Sequence, residues 1–124
     1  MVSKETPTPL LTVQILFEEK LESVSDATIY ISILDVTMAD APSKVILQQV
    51  VKDIDYKANN NKSYQEFRIY GQIPNNKARY AVRVHVDVDN DGKISVGDYI
   101  NMESYPVLTY GNPNYISVKV KHVK

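Results

Sequence analysis

Tyr80-Ala81-Val82-Arg83-Val84-His85-Val86-Asp87-Val88 is the stretch that decides the fold. Tyr80, Val82, Val84, Val86 and Val88 alternate with Ala81, Arg83, His85 and Asp87. Successive side chains of a strand point to opposite faces, so this period of two marks a strand with one buried face. Similar runs lie on either side. Leu11, Val13, Ile15 and Phe17 alternate with Thr12, Gln14 and Leu16, and Ile29, Ile31 and Ile33 with Tyr30 and Ser32. Val45, Leu47, Gln49 and Val51 interleave with Ile46, Gln48 and Val50, a pattern apolar on both faces in places. Gln65, Phe67 and Ile69, then Tyr99 to Glu103, then Ile116, Val118 and Val120 complete the set. No window holds a 3.6-residue stripe long enough for a helix.

Turn chemistry separates the runs. Asp40-Ala41-Pro42-Ser43, Asn59-Asn60-Asn61-Lys62, Pro74-Asn75-Asn76-Lys77 and Gly111-Asn112-Pro113-Asn114 all combine residues that pre-set or tolerate turn dihedrals. The expectation is an all-β protein, a single antiparallel β-sandwich of about seven strands and immunoglobulin-like size. It spans residues 11–124, after a flexible arm over 1–10 that carries Pro7 and Pro9.

Composition narrows the function. The 124 residues carry 14 Lys+Arg against 15 Asp+Glu, a net charge of −1, so the basic face that a nucleic-acid binder needs is not indicated. Without cysteine there is no disulfide, thiolate metal site or Cys nucleophile. Nothing approaches 18 consecutive apolar residues, which argues against a transmembrane segment. The opening MVSKETPTPLL lacks the apolar region of a signal peptide. The chain as it stands reads as soluble and cytoplasmic, and as extracytoplasmic if an export signal was trimmed.

Chemistry concentrates in Asp87-Val88-Asp89-Asn90-Asp91-Gly92-Lys93-Ile94-Ser95-Val96-Gly97-Asp98. Asp87, Asp89 and Asp91 occupy positions 1, 3 and 5 of a DxDxDG calcium loop, with Gly92 at 6. Lys93 at position 7 offers its backbone carbonyl, Ser95 at 9 binds directly or through water, and Asp98 closes the loop at 12. Calcium takes six to eight oxygens at about 2.3–2.6 Å, and alternate residues converge on it only where the chain reverses sharply. Gly92 permits that reversal, and Ile94 at position 8 is expected to anchor the loop to the core. The closing residue is Asp rather than Glu, and a strand rather than a helix precedes the loop, so this is not half of an EF-hand pair. Loop 87–98 carries a net −3, which leaves +2 on the rest of the chain. Crowded carboxylates raise one another's pKa and oppose folding unless a cation sits among them. The alternative is a solvated acidic turn, since Asp, Asn and Gly are ordinary turn residues.

Other features carry less. His85 shares a strand face with Asp87 and could act as a base, although a partly exposed strand histidine is the plainer reading. No nucleophile elbow of the G-x-S-x-G type occurs, so no catalytic residue is assigned. Nine tyrosines against two phenylalanines could stack on sugars, or simply suit half-buried strands. Asn61-Lys62-Ser63 fits a glycosylation sequon, which lacks meaning without export.

The order of three segments is similar to the YbaY/YscW-like family of small bacterial lipoproteins. They are ISILDVTMADAPSKVILQQVV at 31–51, ARYAVRVHVDVD at 78–89 and SYPVLTYGNPNYISVKV at 104–120. The carrying residues are Asp35 with Ala39-Asp40-Ala41-Pro42, the strand Tyr80–Val86, Tyr105-Pro106-Val107-Leu108-Thr109 and Gly111-Asn112-Pro113. The resemblance implies a compact β-sandwich without catalytic residues, and in the pilotin branch a chaperone that binds a short peptide of an outer-membrane secretin. The acidic loop is an addition to that family pattern. The expected function is a non-catalytic module stabilised by one Ca2+ that binds a protein or peptide. The alternative is a calcium-dependent glycan-binding domain.

Overall fold

The computed structural model describes residues 8–17, 24–38, 40–56 and 64–124. Eight strands form among them: β1 (Leu11–Phe17), β2 (Val24–Asp35), β3 (Lys44–Tyr56), β4 (Tyr64–Ile69), β5 (Tyr80–Asp87), β6 (Tyr99–Ile100), β7 (Pro106–Val107) and β8 (Tyr115–His122). The described residues contain no helix. The all-β expectation is met.

The strands join in the order β3-β2-β5-β6-β8-β1-β4, with β7 on β5. Two-residue β6 is the hinge of this arrangement. It pairs β5 on one side and β8 on the other, so the two halves of the sandwich are one sheet curled almost into a barrel. Every pairing is antiparallel except β1 with β8, which runs parallel from Thr12↔Tyr115 to Phe17↔Val120. A parallel neighbour requires a long crossover, and here almost the whole domain lies between the two strands.

Alternation explains the core. Ile29, Ile31 and Ile33 of β2 and Val82, Val84 and Val86 of β5 are cross-strand partners on the inner face, 0–2% exposed. Leu11, Val13 and Ile15 of β1 and Val118 and Val120 of β8 meet them from the other half, fully buried. The doubly apolar β3 is an edge strand among the described residues. Its pairing shifts between Ile33↔Leu47 and Leu34↔Val45, a bulge at Ile46. Because a bulge adds one residue to the period of two, adjacent Ile46 and Leu47 both pack against the core, while Val45 and Val50 remain exposed.

The expected strand Tyr99–Glu103 stops at Ile100. Val84 N–H, which a longer ladder would have claimed, donates instead to Asn101 Oδ1 at 2.8 Å. Leu10, placed in the arm by sequence, donates its N–H to the Ile69 carbonyl at 2.8 Å. Residues 1–7, the turn at 59–62 and the sequon at 61–63 lie outside the described residues.

Candidate metal centre

β5 ends at Asp87 and β6 begins at Tyr99, so the acidic loop is the connection between two paired strands. That pairing fixes both ends, which places Asp87 and Asp98 side by side and fully buried. Gly92 has φ +74°, a left-handed conformation costly for other residues, and open space where a Cβ would project. The demand for glycine there is conformational rather than steric. Its N–H donates to Asp87 Oδ2 at 2.9 Å, which folds the loop back over its first aspartate.

The four aspartates of the loop meet in space. Asp87, Asp89, Asp91 and Asp98 each present a carboxylate oxygen, and all four lie within 4.8 Å of one another. Ser95 joins them, its hydroxyl donating to Asp89 Oδ2 at 3.1 Å. The Lys93 N–H donates to Asp91 Oδ1 at 2.9 Å, an Asx turn that orients that carboxylate. Asp98 accepts from Val88 N–H at Oδ1 (3.0 Å) and from Ser95 N–H at Oδ2 (3.1 Å). One atom is left over: Asp87 Oδ1 is buried and has no hydrogen-bond partner. An unpaired charged oxygen out of contact with water is expensive.

The electrostatics follow from this placement. Burial raises the Asp87 carboxyl above its ordinary value, and neighbouring Asp89 and Asp98 add to the rise against the Gly92 N–H and His85. At Asp89 burial also pushes upward, but hydrogen bonds with Asp87, Ser95 and Asp91 outweigh it and the net shift is downward. The two carboxylates behave as neighbours sharing one site.

Two neighbours, Ile94 and His85, differ from the sequence reading. Ile94 is 53% exposed rather than a core anchor. Val88, with β5 behind it, packs against the core instead. His85, read as a partly exposed strand residue, is buried at 7% and its Nε2 lies 2.8 Å from Asp98 Oδ2. Its ring stacks on Tyr30, the opposing residue of β2, at 5.6 Å and 18°. Asn90 escaped notice altogether. In the left-handed region at φ 57°, it accepts from the Thr28 hydroxyl at 2.6 Å and donates to the Asp26 carbonyl, tying the loop to β2. An Asn between aspartates in a tight turn is the one local hint of such a clamp. Of the nine tyrosines, Tyr99 is 3% exposed and the Tyr105 hydroxyl accepts the Lys119 N–H, whereas Tyr70, Tyr110 and Tyr115 are exposed.

A curled sheet with an acidic loop at the end of its central strand defines a small all-β domain. The chain belongs to the type III secretion system lipoprotein chaperone family (YscW), whose model matches residues 6–120. That family is one of chaperones rather than catalysts, and acts on protein partners. Among solved structures, an alternative pilotin from the type II secretion system of Vibrio cholerae is similar in fold. Identity is 21%, the match covers 92% of this chain and 96% of that one, and the TM-score is 0.65. No curated protein matches. No helix among the described residues is long and apolar enough to cross a membrane.

Proposed function

We propose that this protein is a non-catalytic chaperone module for a secretion-system protein, braced by one Ca2+ in loop 87–98. The observation that carries the calcium reading is the buried Asp87 carboxylate, whose Oδ1 has no hydrogen-bond partner and which shares a group of four carboxylates with Asp89, Asp91 and Asp98 within 4.8 Å. A hard divalent cation gives that oxygen its partner and offsets the crowded charge. Asp89, Asp91, the Lys93 carbonyl, Ser95 and Asp98 supply the remaining oxygens. With a single site closed by Asp, affinity falls toward the weak range of extracellular modules, about 10⁻⁴–10⁻³ M. That range suits a compartment outside the cytoplasm, as does the family's lipoprotein description.

The partner reading rests on family membership and on the open edge of β3. Among the described residues this strand is paired on one side alone, with Val45 and Val50 exposed. An extended segment of an outer-membrane secretin can add there through main-chain hydrogen bonds.

Thermal unfolding tests the calcium half. Saturating calcium at a hundred times Kd stabilises by about 2.7 kcal/mol, so the midpoint rises by roughly 10 °C over an EDTA-treated sample at this chain length. Asp89→Ala abolishes the difference. Superimposable curves with calcium and with EDTA would sink the reading.

A further inference from the structure

The buried end of the acidic loop sets one residue outside the calcium spacing, His85, against two residues inside it, Asp87 and Asp98. His85 Nε2, Asp87 Oδ1 and Asp98 Oδ2 belong to residues 7%, 0% and 0% exposed, and one ligand atom from each lies within 4.8 Å of the others. Asp89 and Asp91, which complete the calcium set, are exposed. The acidic cluster thus has two ends, an all-oxygen outer one and an inner one with an imidazole.

The geometry points to a borderline first-row cation of the zinc class at the inner end, bound by His85, Asp87 and Asp98. Ligand chemistry favours it, since imidazole suits zinc and its neighbours whereas calcium takes oxygen alone. His85 Nε2 and Asp98 Oδ2 are 2.8 Å apart. Tetrahedral ligands about 2.0–2.1 Å from a zinc-sized ion stand about 3.3–3.4 Å apart, so the pair opens by about 0.5 Å to admit the ion. The buried Asp87 Oδ1, with no hydrogen bond of its own, is the third ligand. Stacking on Tyr30 holds the imidazole, and the Gly92 N–H on Oδ2 orients the Asp87 carboxylate. The ion takes the place of the proton between Nε2 and Oδ2, which leaves to solvent. Three protein ligands leave a coordination position open. Because Asp87 and Asp98 serve both ends, zinc and calcium exclude each other.

The site does not depend on the calcium reading, and calorimetry separates the two. ZnCl2 is titrated into the EDTA-treated, dialysed full chain, alone and in excess calcium, and CaCl2 is titrated separately. Wild type takes one zinc, and calcium weakens the apparent affinity. His85→Gln loses at least about tenfold in zinc affinity and keeps calcium, whereas Asp89→Ala loses calcium and keeps zinc. Equal zinc affinity in wild type and His85→Gln, or no zinc binding, overturns the inference. Zinc binding without calcium binding supports it and removes the calcium reading. Should His85→Gln fail to fold, the ¹⁵N shift of His85 Nε2 in wild type decides: movement with zinc supports the site, and none refutes it.

Discussion

Asp87 is where burial and charge act against each other most strongly. Its raised pKa means that the folded, metal-free protein holds this proton more tightly than the unfolded chain. Below the unfolded value, near 3.9, both states are protonated and nothing is lost. As pH rises past it the unfolded chain ionises first, and stability falls until the raised folded value is passed. Asp89 has the opposite sign: its lowered pKa contributes stability above the ordinary value that is lost as pH falls. Asp87→Asn removes the first effect. In EDTA this variant is expected to gain on wild type as pH climbs from 4 toward neutrality, while losing all response to calcium; urea denaturation across pH measures both. A variant that stays calcium-sensitive would exclude Asp87 as a ligand. The clustering of the aspartates was legible, because their spacing is a property of local sequence. That Asp87 is fully buried and lacks a partner for one oxygen was not, because burial is decided by β2 and β6 on either side. His85 was misjudged for the same reason.

At the scale of elements, alternation in β1, β2, β5 and β8 could be read directly, since each strand has one face on the core. Ile31→Ala, in a strand flanked by β3 and β5, is expected to cost about 2–5 kcal/mol. Val50→Thr on the exposed edge should stay within about 0.5 kcal/mol, and urea midpoints distinguish them. What local patterning could not supply was pairing order. The parallel β1–β8 contact joins residues about a hundred apart, and the end of β6 is set by an Asn101 side chain that takes a ladder donor. The Asn90 clamp is of the same kind. Asn90→Ala removes the bonds to Thr28 and Asp26, with an expected loss of about 1 kcal/mol. Calcium affinity falls with it, because the loop then pays more entropy to order around the ion. Calorimetry on this variant should show weaker binding at unchanged stoichiometry.

For the whole molecule, a scaffold of slight positive charge carries its negative charge at one end of the central strands and an open edge at β3. The proposed function gives the two features different duties: the loop would brace the domain around the ion, and the edge would receive a partner. A secretin-derived peptide that adds to β3 is expected to slow amide exchange along Lys44–Ile54 and to leave loop 87–98 unchanged. Protection confined to the loop would move the partner site there. The calcium brace is tested most directly by native mass spectrometry of the full chain with and without calcium. One bound ion per wild-type chain, absent from Asp89→Ala and not replaced by magnesium at the same concentration, is the expected result. A wild-type spectrum without a calcium-bound species, or one indistinguishable from that of Asp89→Ala, would contradict it.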